Sequence, residues 1–173
     1  MMASIAEPAS QEGKGYAGPD RTERLLGWGA LFMLAAIIAA LLRGRAHWGE
    51  MPWPVWGHLG TIGLALALTP AILWRRRGDG RHRKLGYVWV GAMALTALIS
   101  LQIRMIGRGH LSIIHLLSIY TLIQLPIAVL AARSGNHARH RSGLRGMVIG
   151  ALLIAGFFTF PFDRLLGRWL FGG

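Results

Sequence analysis

The chain contains no cysteine, which excludes disulfides, thiolate metal sites and cysteine nucleophiles. Acid is almost as scarce, with seven Asp and Glu against nineteen Lys and Arg. None of those carboxylates lies well inside an apolar run, so neither a paired-carboxylate site nor an intramembrane proton carrier is expected. There is no HExxH and no phosphate-binding glycine loop. A zinc hydrolase would need a general base near its ligands, and the sequence offers none. Charged residues make up 15% of the chain, against about 25% in soluble domains. The net charge of +12 does not point to nucleic acid. Nearly every Lys and Arg falls between long apolar runs or at their ends, where membrane proteins concentrate basic residues.

Apolar sequence is plentiful: 53% of residues are hydrophobic. Residues 1–20 are polar and carry Pro8 and Pro19, and they read as a disordered cytoplasmic tail rather than a signal peptide. Residues 21–173 then hold five apolar runs, which predict helices over about 24–43, 54–75, 82–105, 111–132 and 140–162. Each is close to the roughly 20 residues that cross a bilayer as a helix. The runs are continuous and do not alternate, which makes a membrane β-barrel a poor alternative. Asp20 with Glu23 resembles a capping pair, and Asp79 and Asn136 are candidate N-caps. Pro70 and Pro126 lie inside runs, as membrane helices tolerate. The Trp residues mostly flank the runs as an aromatic belt would. Thirteen of the nineteen Lys and Arg fall on one side of the five runs. The positive-inside rule places that side in the cytoplasm. The expected fold is all-α: a five-helix transmembrane bundle in the bacterial inner membrane, with the N-terminus cytoplasmic and the C-terminus periplasmic.

Histidine is the conspicuous chemistry, with seven in the chain. His58 and His115 lie about one turn into the second and fourth helices, which run in the same direction, so both sit near the outer face. His82 and His140 open the third and fifth helices and share a level near the inner face. The pairs are 57 and 58 residues apart in sequence. Two imidazoles at one depth on different helices are what a b-type haem needs for its two axial positions, and a bundle can hold the ring between facing helices. Either one or two haems could be held in this way. Thr61, Ile62, Gly57 and Gly60 lie near His58, Gly86 near His82 and Gly143 near His140, and small residues there would let a ring approach. His137 is three residues before His140 and competes with it as the inner ligand. The plainer alternative is that the loop histidines are solvated and that His58 and His115 hydrogen-bond across helices. His47 and His110 read as outer-loop residues.

Arg104, Gln124 and Tyr120 are polar groups in or beside lipid that could contact a quinone or another small molecule. Interhelical hydrogen bonds, or snorkelling for Arg104, are the plainer and favoured explanation. Three functions compete: an electron carrier exchanging electrons with a quinone or a redox protein, a non-catalytic accessory subunit of a larger membrane complex, and a small-molecule transporter or sensor. The last is disfavoured by the short chain and the absence of an evident inverted repeat.

Four separated segments carry a resemblance. They are H-L-G at 58–60, R-H-R-K-L-G-Y at 81–87, I-H-L-L-S-I-Y-T-L at 114–122 and H-A-R-H-R-S-G-L-R-G at 137–146, followed by I-G-A-L-L-I-A-G-F-F-T-F at 149–160. From His58 onward, about two thirds of the chain, the sequence resembles the predicted bacterial membrane proteins called domain of unknown function 2306. That resemblance implies a multi-pass membrane protein without a settled activity. A more distant likeness is to the cytochrome b561 group of two-haem membrane proteins, with five helices here rather than six. It implies one haem held by His58 and His115 and another by His82 and His140.

Overall fold

The computed structural model describes residues 18–103, 113–161 and 163–172, and every regular element among them is helical. The long helices are α1 (Arg21–Arg43), α2 (Trp53–Leu73), α3 (Gly80–Gln102) and α4 (Ile113–Arg133). α5 (His137–Met147) continues as a π-helical segment, Val148–Ile154, and a last α-turn, α6 (Ala155–Phe157). A 3-10 helix, Arg45–Glu50, follows α1, and a short helix α7 (Leu165–Phe171) closes the chain. The expected tail lies outside the described residues except for 18–20, as do the predicted end of the third helix at 104–105 and the predicted start of the fourth at 111–112.

The caps form as the sequence predicts. Glu23 N–H donates to Asp20 Oδ1 at 2.9 Å, and Asp20 N–H donates to Glu23 Oε2 at 3.2 Å, which completes a capping box. It starts α1 at Arg21, ahead of the apolar run. Asp79 accepts from His82 N–H at 2.5 Å, and Asn136 from Arg139 N–H at 3.0 Å. Asn136 therefore starts α5 at His137, three residues before the expected start.

α1 to α4 are each long and apolar enough to cross a membrane. Their outer faces carry exposed large apolar side chains, among them Phe32 on α1, Leu64 on α2, Leu95 on α3 and Leu130 on α4. Water would penalise that surface, and lipid does not. The chain is therefore a membrane protein. The fifth run is different, because α5 is basic and its hydrogen bonding changes register at the π segment. The backbone stays in the right-handed helical region at Val148 (φ −62°, ψ −46°) and Ala155 (φ −62°, ψ −39°), so residues 137–157 remain one helical rod. That rod ends at Phe157, five residues short of the expected end. The chain then turns, with Asp163 at φ 58°, and α7 folds back onto α1.

Packing closes the helices into a ring. α1 contacts α2, α2 contacts α3, α3 contacts α4, α4 contacts α5, and the π segment returns to α1. On α1 the buried residues Glu23, Leu26, Ala30, Met33, Ile37 and Ala40 recur every three or four positions and face this core. Glycines allow the closest approaches. A Cβ on Gly44 would run into the Trp169 ring, and one on Gly167 into the Phe160 carbonyl, so both positions require glycine to dock α7. Trp89 departs from the belt pattern. It is 3% exposed, and its indole N–H donates to Thr69 Oγ1 at 3.1 Å between α3 and α2.

Candidate cofactor cavities

α2 and α4 flank α3, and α3 and α5 flank α4, so a ring of single helices leaves space between alternate members. The structure has a cavity at each end of the bundle. The outer one encloses about 420 Å³ and is lined by both His58 and His115. The inner one encloses about 810 Å³ and is lined by both His82 and His140. Both volumes fall in the range of about 300–1,000 Å³ usual for small-molecule and cofactor sites. Each cavity thus brings together one histidine pair singled out by depth. His137 also lines the inner cavity, while His47 lies outside both and stacks on Trp169, with ring centroids 6.4 Å apart.

His115 is buried, at 5% exposure. The Nδ1 atoms of His58 and His82 are buried and have no hydrogen-bond partner among the described residues. An unpartnered buried imidazole nitrogen is costly unless a ligand or ion engages the ring. The rings of His58 and His82 each also meet a backbone group, that of Thr96 for His58 and of Ile72 for His82, and in His140 it is Nδ1 that is held. Its Nδ1 lies 2.9 Å from the Ala128 carbonyl on α4. Nδ1 donates in that contact, which fixes the tautomer and leaves the Nε2 lone pair to accept a proton or bind iron. His137, exposed at the first position of α5, has no such anchor among the described residues, which favours His140 as the inner ligand.

The rest of the outer cavity is rich in hydroxyls. Thr96 and Ser100 face it from α3, and Ser118 and Thr121 from α4. His115, Ser118 and Thr121 recur at helical spacing, a polar stripe legible in the sequence. Thr96 Oγ1 donates to Thr61 Oγ1 at 2.8 Å and joins α3 to α2 beside His58. Arg164 and Arg168, from the turn and α7, line the outer end.

The inner cavity ends in an ion-pair cluster. Glu23, 2% exposed, pairs with Arg77 from the α2–α3 loop and accepts from Arg141 Nε at 2.7 Å. Asp20 accepts from Arg141 at 2.7 Å and pairs with Arg145. The Glu23 N–H and the Arg145 guanidinium hold the Asp20 carboxyl below the usual aspartate range. Sequence reasoning missed this cluster. The available signal was register: Glu23 extends the buried stripe of α1 by one turn, so its carboxylate had to enter the bundle and find a cation.

Of the small residues expected to admit a ring, Gly86 lines the inner cavity with open space at its Cβ position. Gly143 instead packs against Ala128 and Gln124 of α4, and Gly60 faces outward. Gln124 and Tyr120 sit beside Gly143 and Gly146 at the α4–α5 contact and line neither cavity. Arg104 lies outside the described residues.

The cavities are stacked. Val90 is the last α3 residue on the inner one, and Met93 is the first on the outer one. Three residues, about 4.5 Å of helical rise, separate them. The π segment bridges the same level on the fifth rod, with Val148 inside and Ala151 outside. Among the described residues no three His, Asp or Glu side chains gather into a metal-binding group. A haem iron asks the protein for only one or two. No protein-family model, curated protein or solved structure matches the chain.

Proposed function

We propose that the chain is a b-type cytochrome of the bacterial inner membrane that moves electrons between the two faces of the bilayer. The observation that carries this reading is the sorting of four histidines, two by two, into two stacked cavities. His58 and His115 would hold an outer haem, and His82 and His140 an inner one. The donor set fits, because imidazole nitrogens are the axial ligands that a b-type haem takes. The unpartnered nitrogens of His58 and His82 and the open space at Gly86 support the same assignment. At the outer cavity Arg164 offers positive charge to a cofactor's carboxylates.

When bound, a haem iron supplies one-electron chemistry. The protein's part is to fix the imidazoles, exclude water and shorten the path. The His140–Ala128 bond orients one ring. The Trp89–Thr69 bond stiffens the inner wall close to the layer between the cavities. A quinol or cytoplasmic donor would deliver electrons at the inner end, and a periplasmic acceptor would take them at the outer end. In this reading the rod 137–157, about 30 Å long, is the fifth crossing. The excess of Lys and Arg keeps the Asp20 end of the bundle in the cytoplasm. The likeness to domain of unknown function 2306 and to the cytochrome b561 group belongs to the same proposal.

A second reading, an accessory subunit whose imidazoles only tie helices together, draws on the His140–Ala128 contact. Paired variants separate the two readings. His58→Ala and His82→Ala should each remove one haem and leave the other, measured as haem per chain. Unchanged haem in both variants would sink the ligand assignment, and a wild-type protein without haem would leave the accessory reading.

A further inference from the structure

The inner cavity is about twice the volume of the outer one, and its excess lies at a basic mouth. Arg83, Tyr87, Arg133 and His137 line it and are themselves exposed, which marks where it opens. Arg133 Nη2 donates to Tyr87 Oη at 3.3 Å across α3 and α4. Deeper in, Arg77, Arg141 and Arg145 are occupied by Asp20 and Glu23. Among the described residues no ion pair takes Arg83 or Arg133. Behind the mouth the lining becomes apolar, with Val90, Val129 and Leu144, and beside it α3 and α4 present exposed Val88 and Leu130. A cationic mouth at a helix end that leads into an apolar wall on a lipid-facing surface matches one chemistry: an anionic headgroup joined to an acyl chain. A freely soluble anion would use the arginines and have no use for the apolar wall.

We infer that this mouth is a binding site for an acidic phospholipid, whose phosphate pairs with Arg83 and Arg133 while an acyl chain follows the α3–α4 edge. Basic pockets between membrane helices take acidic headgroups by this combination of charge and depth. Arginine suits the role because its planar donor fork matches phosphate oxygens in pairs. The Tyr87 hydroxyl holds the Arg133 guanidinium at the mouth, and the phosphate needs no contact with the histidines. The inference is therefore independent of whether the cavity also holds haem.

The test uses the full chain in nanodiscs of phosphatidylcholine, with phosphatidylglycerol or inorganic phosphate added. Retained lipid is read by native mass spectrometry and stability by thermal shift. The wild type should retain phosphatidylglycerol over phosphatidylcholine and gain stability from it. In the Arg83→Gln/Arg133→Gln double variant the preference should fall roughly 25-fold, about fivefold per arginine removed. The Arg83→Lys/Arg133→Lys variant should restore most of it. Both positions are exposed, so folding should survive, and the far-UV circular dichroism spectrum provides a separate check on that. Equal retention of the two lipids by the wild type, or an unchanged preference in the glutamine variant, would overturn the inference. Stabilisation by inorganic phosphate with none from phosphatidylglycerol would overturn the lipid assignment and leave a free-phosphate site.

Discussion

The Glu23 carboxylate accepts a hydrogen bond from Arg141 at 2.7 Å, joining positions 118 residues apart. The contact ties the start of α1 to the start of α5 at the edge of the inner cavity. Because Glu23 also completes the α1 capping box and meets Arg77, one buried carboxylate joins three separate segments. Glu23→Ala should cost about 2–3 kcal/mol, the usual range for losing charge-assisted hydrogen bonds of a buried group. Glu23→Gln keeps the shape and the cap and should cost less. Thermal unfolding in detergent checks both, and an alanine variant as stable as the wild type would show that the cluster is ornamental.

Stability should also fall in acid. Arg75 and the His82 N–H hold the Asp79 carboxyl below the ordinary aspartate value, as the Glu23 N–H and Arg145 do for Asp20. A depressed folded-state pKa means that the unfolded chain binds the proton more readily. The contribution is complete above the ordinary value of about 3.9 and is lost as pH falls through the lower folded value. Melting temperature recorded from pH 7 to pH 3 should drop at the acid end. The drop should be shallower for Asp20→Asn/Asp79→Asn than for the wild type.

Gly167→Ala tests how α7 is held. A methyl there meets the Phe160 carbonyl, a backbone atom that cannot turn aside, so overpacking should cost about 1–3 kcal/mol. Gly60→Ala, where a Cβ meets nothing, is the control and should be close to neutral. Comparable melting temperatures for the two variants would contradict the docking of α7.

Much of the fold is legible in the sequence because it rests on local physics. Asp20, Asp79 and Asn136 cap helices at the positions expected of short polar side chains before apolar runs. The histidine pairs were found by depth alone, since helical rise converts position in a run into height in the bundle, and the cavities respect that grouping. What was hidden depends on facing. Trp89 reads as a belt residue until Thr69 is seen across from it. Glu23 reads as a helix cap until α5 closes against α1. Gln124 and Tyr120 read as polar groups without an evident neighbour until Gly143 and Gly146 are found beside them. α7 is too short to show a transmembrane signal, and its position depends on tertiary contacts with Gly44 and Arg43, the latter donating to the Leu170 carbonyl at 2.5 Å. The π segment has no sequence mark at all.

The ligand assignment predicts that His140, and not His137, holds the inner haem. His140 is oriented by Ala128. Replacing the oriented ligand, His140→Ala, should remove the inner haem outright. His137→Ala should leave haem content and midpoint potential unchanged. Haem loss in the His137 variant with retention in the His140 variant would reverse the assignment.

The central claim is tested most directly by the visible spectrum of the detergent-purified chain, oxidised and then dithionite-reduced, with haem counted by pyridine haemochrome. The account predicts sharp reduced b-type bands and two haems per chain. A protein that stays colourless after incubation with haem would contradict it.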